Sequence, residues 1–468
     1  MLPHTLRCIA LAAFRQSART AHSRPSGTKY LTKAAFFDED TDASTRSRAD
    51  SMREAFSQSL HNITLRIQMM NMDTIKQELQ KQAREIEQRM WDAALFMHAH
   101  PELGRQEFLA QERLCSLLAA HGFHIEKDLA GLETAFRATY SFDGNDAPTV
   151  AYLAEYDALP EIGHACGHNL IAAMSVGAAI VLSKIQGGLH GRVMVLGTPD
   201  EEGGGGKIEL IQHGAFKDID AAMMIHPGSR DIKRKWNLAA VSCIVEFYGK
   251  AAHAADCPFD GINALDALIQ LFNSVSLLRQ QLRDDVRIHG IITDGGSAAN
   301  IIPEYTRAQF LVRASELQRT YNVLEQFIQC VKGAALATGT REQITIDRDH
   351  MYEPLMTNNL LMELYADNMQ RLGVQVEEQH PGELGGSSDI GNVSQLVPAI
   401  HPTGRIFRPG QDAPGHSHEF ALASKSEEAR LNMLLGIQAL AMCGADLLGQ
   451  PDILCKVKEE FQKTRTKA

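Results

Sequence analysis

The chain has 468 residues and a mass of 51.5 kDa, with 44% hydrophobic and 22% charged residues. That composition describes a globular protein of two or three domains. Its formal charge of −11, with a pI near 5.9, offers no broad cationic field for phosphate backbones and argues against a nucleic-acid partner. The apolar run Leu170–Leu182 falls short of the ~20 residues that cross a bilayer, so it reads as a buried helix and no membrane span is expected.

The eight cysteines are scattered and none forms the close pair of a zinc ribbon or redox dithiol. A chain of this length does not need covalent staples, so a reducing intracellular compartment is expected. The first stretch carries Arg7, Arg15, Arg19, Arg24, Lys29 and Lys33, with no acid before Asp38. Such a start suits a cytoplasmic protein with a disordered tail, a start codon placed too early with Met52 or Met72 beginning the chain, or, alternatively, a mitochondrial-matrix protein with a transit peptide. Residues 38–58 read as a polar linker.

From Asp73 the periodicity turns helical, with Ile75, Leu79, Ile86, Met90 and Leu95 on one face. A second helix is expected over Glu107–His121, stopped by His-Gly. Short apolar runs follow, each ended by a polar or glycine-rich turn: TVAYLAEYD, RVMVLGTPDEEGGGG, AAMMIHPG and LVPAIHPTG, with a helix at Asn169–Lys184 between them. This alternation predicts an α/β domain with a mainly parallel sheet. The middle differs. Strands at Ala240–Phe247, Ile288–Thr293 and Thr306–Arg313, with helices over Gly261–Leu282 and Glu316–Thr338, predict a smaller α+β insert. The expected organisation is an N-terminal extension (1–72), a catalytic domain in two parts (73–238 and 350–450) around the insert (239–349), and a C-terminal tail (451–468).

The chemistry-bearing residues gather at predicted strand ends. Asp157 opens DALPEIGHACGHN, where Cys166 and His168 offer a thiolate and an imidazole two residues apart. Cys-x-His lacks the second pair of a zinc finger and is not specific by itself. The next strand ends in Glu201 and Glu202, adjacent carboxylates that can divide metal binding from proton transfer, followed by four glycines that permit close backbone approach to a ligand. His226 ends a third strand, and His416 and His418 stand in GHSHEF near the C-terminus. One shared metal centre accounts for these strand ends more economically than separate coincidences.

In order, the motifs are HPELG, EYDALPEIGHACGHN, GTPDEEGGGGK, MIHPG, GKAAHAADCPFDGINALDA, GGSAANIIPE, GSSDIGNVS and GHSHEF. Over about residues 73–450 the chain resembles the aminoacylase/carboxypeptidase G-type co-catalytic metallopeptidases. Within that family it is most similar to the Xaa-Arg (β-alanyl-lysine) dipeptidase branch and the p-aminobenzoyl-glutamate hydrolase subunits. The resemblance implies a dinuclear-metal hydrolase domain interrupted by a lid and dimerisation domain. It implies that Cys166, His168, Glu202, His226 and His416 bind two divalent ions, Zn²⁺ or Mn²⁺ with Co²⁺ also accepted, that Glu201 is the general base, and that Asp157 supports the ligands from behind. His418 fits the motif's spacing less well than His416. In a homodimer His253 would reach the neighbouring subunit's site, and Asn300 and Arg313 would recognise a substrate carboxylate. Asn169, where many relatives carry Asp, and Asp200, where a small residue is expected, depart from the pattern.

The implied function is metal-dependent hydrolysis of the amide bond of a dipeptide or N-acyl amino acid with a free carboxylate. The alternatives are an N-acyl or N-aroyl amino acid amidohydrolase of the p-aminobenzoyl-glutamate type, or a non-catalytic dimeric binding relative. The intact Glu201 weighs against the last, because a scaffold has no need of a free carboxylate beside a metal site.

Overall fold

A computed structural model describes residues 72–144, 148–380, 383 and 385–466. The basic start and the 38–58 linker lie outside the described residues. The first helix spans 72–99 and buries Ile75, Leu79, Ala83, Ile86, Met90 and Met97 while exposing Arg84, Glu85 and Arg89, as its 3.6-residue period dictates. The helix Phe108–Ala119 stops just before Gly122, whose φ of 83° is the left-handed conformation that ends helices.

Among the described residues seven strands precede the insert: β1 (His124–Leu129), β2 (Leu132–Ser141), β3 (Thr149–Ala154), β4 (Arg192–Gly197), β5 (Ala221–Met223), β6 (His226–Gly228) and β7 (Ile232–Arg234). The insert carries β8 (Ala239–Tyr248), β9 (Ala252–His253), β10 (Arg287–Asp294), β11 (Ile301–Ile302), β12 (Tyr305–Ala314) and β13 (Arg341–Tyr352). The chain returns with β14 (Glu377–Glu378), β15 (Ala399–Ile400) and β16 (Thr403–Arg405).

The central sheet has the order β1-β2-β4-β3-β5-β15. β4, β3, β5 and β15 are mutually parallel, while the edge pair β1 and β2 is antiparallel. β3 is buried along its whole length, as a parallel strand covered on both faces must be, and this is why it reads as a continuous apolar run. Every residue of the helix His168–Ser183 is buried too, between that sheet and the helix Glu427–Gly449.

The helix Glu427–Gly449 is, among the described residues, long and apolar enough by length and composition to cross a bilayer, which the expectation drawn from Leu170–Leu182 overlooked. Its apolar window is mostly buried inside the domain, as in the core helix of a large fold. Ser426 caps it by accepting from the Ala429 N–H, with Glu427 and Glu428 in its first turn. Residues 451–468, set aside as a tail, instead carry the helix Pro451–Arg465, which buries Leu454, Val457 and Phe461.

The insert forms an antiparallel sheet, β10-β12-β8-β13, with two helices, Ala264–Leu278 and Leu317–Thr338, sharing its core. Along β12, Ala308, Phe310 and Val312 are buried in that core. Gln309, Leu311 and Arg313 therefore point from the opposite face, because strand side chains alternate. The seven cysteines among the described residues form no disulfide.

Candidate metal centre

The parallel strands end on one side of the central sheet, where open α/β sheets place their sites. Glu155 and Asp157 follow β3, Glu201 and Glu202 follow β4, and His226 follows β5. The loop after Asp157 returns through Cys166 and Gly167 to His168, the first residue of its helix. Gly167 has a φ of 80°, and a Cβ there would come within 2.8 Å of Pro227, so glycine lets this turn pack directly on the His226 segment. The His416 N–H donates to the Ala165 carbonyl at 3.0 Å, which brings the C-terminal motif over the same loop.

Asp157 holds two parts of the site together. One carboxylate oxygen lies 2.9 Å from His168 Nδ1, and the other accepts from the Glu202 N–H at 2.9 Å. A carboxylate behind Nδ1 fixes the ring so that Nε2 faces forward, the usual support of a metal-binding histidine. His168 Nε2 is fully buried without a hydrogen-bond partner. His226 is oriented likewise, with Nδ1 2.7 Å from the Pro227 carbonyl and Nε2 3.4 Å from Cys166 Sγ. His416 Nε2 lies 3.3 Å from a Glu202 oxygen. Among the described residues the donor atoms here fall into three overlapping groups, each within 4.8 Å: Cys166–His168–His226 and Cys166–Glu202–His416, which share the sulfur, and His168–Glu201–Glu202. Two divalent ions fit this donor set. His418, the first residue of its helix, belongs to none of these groups, whereas His416, also exposed, does.

The two adjacent glutamates differ in their surroundings. Burial, with Glu155, Glu202 and Asp389 nearby, raises the proton affinity of Glu201 well above that of an ordinary carboxylate. Burial works in the same direction on Glu202, but His416 and His168 outweigh it and hold that carboxyl down at about 2. Neighbouring carboxylates with opposed shifts divide naturally into proton acceptor and ligand. Burial pushes the Cys166 thiol up to about 12, so it lacks the ready thiolate of a cysteine nucleophile, whereas a bound cation would favour the thiolate.

Glu107 gives a pH-dependent signal from the same neighbourhood. It is fully buried, accepts from the Thr134 hydroxyl and the Asp200 N–H, and burial raises its pKa from 4.5 to about 7. A raised folded-state pKa means the folded protein binds the extra proton, so this group's contribution to stability falls as pH rises from 4.5 to 7 and stays unfavourable above. Glu107→Gln, which preserves an acceptor for Asp200, is expected to raise the Tm of metal-depleted protein at pH 8 and to leave it unchanged at pH 4. Thermal melts of both proteins across that range check the sign.

The two departures from the family pattern acquire physical reasons. The Asn169 amide donates to the carbonyls of Ala94 and Ser424, which an ionised Asp could not do. Asp200 adopts a φ of 61° and binds Arg105 Nε at 2.8 Å. A Cβ on Gly203 or Gly204 would approach the Asp200 carboxylate to 2.4–2.5 Å, so the first close approach these glycines permit is to Asp200, ahead of any ligand.

A cavity of about 790 Å³ is lined by Cys166, Glu201, Glu202, His226 and His416 on the catalytic side and by Arg313 on the insert side. Arg313 Nη1 donates to Ser387 at 3.3 Å, and its Nε is buried without a partner. His253 and Asn300 are not brought there. They are exposed neighbours on the insert, joined through the Ala254 N–H, which donates to the Asn300 carbonyl, and His253 Nδ1 faces the N–H groups of Ala255 and Asp256. The sequence reading missed His401, Lys235 and Tyr352. His401 is buried, its ring 5.4 Å from that of His226, with an unpartnered Nε2. Its signal was present in AIHPTG, a second strand ending in His-Pro like MIHPG. Tyr352 donates to the Glu201 carbonyl at 2.5 Å. Lys235 lines the cavity, and its burial lowers its proton affinity.

Residues 151–436 match the model of peptidase family M20/M25/M40. The chain is 37% identical to the mouse Xaa-Arg dipeptidase over 405 residues, covering 84% of this chain and 93% of that protein. It is 32% identical to a p-aminobenzoyl-glutamate hydrolase component of Escherichia coli, with coverage of 84% and 94%. Among solved structures, a dinuclear metal binding M20 peptidase of Bacillus subtilis matches 78% of this chain and 99% of its own at a TM-score of 0.60 and 17% identity. The aminobenzoyl-glutamate utilization protein of Klebsiella pneumoniae matches 79% and 98% at a TM-score of 0.59 and 19% identity. The family match and the two relatives at 32–37% identity lead to one conclusion: this chain belongs to peptidase family M20/M25/M40.

Proposed function

We propose that this chain is a metal-dependent hydrolase of the amide bond in dipeptides or N-acyl amino acids that end in a free carboxylate. The observation that carries this reading is the pair of donor groups sharing Cys166 beside Glu201, in a cavity whose opposite wall presents Arg313. The named activities of the two relatives support a dipeptidase-like substrate over a protein chain.

Two divalent ions held by Cys166, His168, Glu202, His226 and His416 would supply the charge that acidifies a water and polarises the amide carbonyl. Zn²⁺ suits the thiolate, and Mn²⁺ or Co²⁺ suit the mixed donors. Glu201 takes the proton as the water attacks and returns it to the departing amine. Its high proton affinity suits both steps, and the bond from Tyr352 fixes its backbone. Arg313 holds the substrate carboxylate with its fork of donors. We assign His253 and Asn300 to the partner subunit's site in a homodimer through the insert, a placement supported by their exposure and their distance along the chain from the ligands. The p-aminobenzoyl-glutamate type of substrate remains within the same chemistry, so a substrate panel should include N-aroyl glutamates.

Arg313→Ala tests the polarity of the substrate. It is expected to raise KM by about 10- to 100-fold for substrates with a free carboxylate, in line with the loss of a charge-assisted bond. Carboxamide-capped versions of the same substrates should be poor for both proteins. Equal loss on free and capped substrates would remove Arg313 from carboxylate recognition.

A further inference from the structure

Behind Glu201 lies a charged cluster to which the proposed reaction gives no role beyond raising the proton affinity of Glu201. Lys207, Glu155 and Asp389 come from three separate segments and are at most 1% exposed. Lys207 Nζ lies 2.5 Å from Glu155 Oε1 and 2.7 Å from Asp389 Oδ1, and the Lys207 N–H donates to Asp389 Oδ2 at 3.0 Å. Taking one lysine and two carboxylates fully out of water carries a desolvation penalty, so a purely structural role would be served as well by apolar packing.

The second oxygen of Glu155 shows what the cluster faces. Oε2 lies 3.5 Å from His168 Nε2, the fully buried nitrogen with no hydrogen-bond partner. Two donors bound to one ion at bonds of about 2.0–2.2 Å and a roughly tetrahedral angle stand ~3.3–3.6 Å apart. The pair His416–Glu202 at 3.3 Å and the pair Cys166–His226 at 3.4 Å obey the same spacing. Glu155 therefore stands to His168 as the assigned ligands stand to one another.

We propose that Glu155 is a further donor to the ion held by His168, and that Lys207, anchored by Asp389, is the positioning residue that turns one Glu155 oxygen toward that ion. This rests on the metal-centre reading above and adds a carboxylate to it. Lys207 occupies Oε1 and leaves Oε2 facing Nε2, and the two hydrogen bonds that Lys207 donates to Asp389, from Nζ and from its backbone N–H, hold the lysine in place. The carboxylate cluster Glu155–Glu201–Asp389 thus already contains its cation, in the form of Lys207.

The test is metal binding, measured by elemental analysis and by competition with a chelator of known affinity, on the full chain with Zn²⁺ and with Mn²⁺. Glu155→Gln keeps the Lys207–Asp389 pair and an acceptor for Lys207, so it should fold as wild type. It is expected to bind one of the two ions about 10- to 100-fold more weakly and the other unchanged. Lys207→Met should show the same selective loss if it folds, and so should the Glu155→Gln/Lys207→Met protein, which leaves Asp389 as the cluster's one carboxylate, still accepting from the backbone N–H of residue 207. Wild-type affinity for both ions in Glu155→Gln, or restored affinity in the double variant, would overturn the proposal and leave Glu155 as a counter-charge for His168 or Lys207. Cys166→Ser is the control for the underlying reading, because the shared sulfur predicts weakening of both ions. An unaltered Cys166→Ser protein would sink the metal centre itself, whereas an unaltered Glu155→Gln beside a defective Cys166→Ser sinks only this inference.

Discussion

Glu201→Gln is expected to lower kcat by about 10²–10⁴-fold, the range for loss of a positioned general base, while both metal ions stay bound. Glutamine has nearly the same shape, and neither donor group sharing Cys166 includes Glu201, so the ligands keep their geometry. The loss should fall on kcat with little change in KM, since Arg313 and the cavity walls still bind substrate. The environment supports this division of labour: Glu201 is raised by burial and three carboxylates, while Glu202, one residue on, is held ionised by His416 and His168 against its own burial. Elemental analysis run beside steady-state kinetics separates base from ligand. A fully active Glu201→Gln protein would return the proton transfer to another group, and a metal-free one would make Glu201 a ligand.

The second large effect comes from assembly. His253 is exposed on the insert, outside the cavity of its own chain. In a two-fold dimer it would enter the partner's site, so each site is built from both chains. His253→Ala alone should lose about 10²–10³ in kcat, the usual cost of an oxyanion donor, and Glu201→Ala alone should be nearly inactive. A mixed dimer of the two variants rebuilds one whole site, because the His253→Ala chain keeps its own Glu201 and ligands and receives His253 from its partner. Isolated with two different tags and loaded with metal, that heterodimer should recover up to about half the wild-type rate. No recovery in a verified heterodimer would confine His253 to its own chain or remove it from the reaction.

How far such a site is legible in sequence depends on the range of the forces that build it. Local periodicity sufficed for the helices over 72–99 and Leu317–Thr338 and for the strands β8 and β12, because each has one face in a core, and the β-branched run of β10 sufficed although Ile288 is its one buried residue. It did not suffice for β1 and β2, whose antiparallel edge pairing is set by neighbouring strands, or for β13, whose alternation of half-buried and exposed residues lacks a strong apolar face. The helix Glu427–Gly449 escaped notice as an apolar segment because Arg430 and Asp446 interrupt its run, although Asp446 is buried against Lys76.

At the site, Cys166, His168, Glu202, His226 and His416 were named on motif spacing, and folding brings their donor atoms together. Lys207, Glu155 and Asp389 lie 52 and 182 residues apart along the chain, so their pairing is a tertiary event with no local pattern to betray it. His401 is similar, since a lone His-Pro at a strand end declares itself only when its ring comes edge-on to that of His226. Asp200 and Asn169 looked like anomalies in sequence and proved to be hydrogen-bonding requirements: one grips Arg105, and the other must donate to two carbonyls.

The central claim is that a dinuclear centre gathered around Cys166 hydrolyses small amides that end in a carboxylate. The most direct measurement follows turnover and metal content together, on one preparation, through chelation and stepwise return of Zn²⁺ or Mn²⁺. The substrates would be a panel of dipeptides with C-terminal Arg or Lys, N-acyl amino acids and N-aroyl glutamates. The account predicts that turnover of at least one class disappears with the metal and returns as occupancy climbs to two ions per chain. Undiminished turnover in metal-free protein, or a fully loaded protein that cleaves none of the panel, would contradict it.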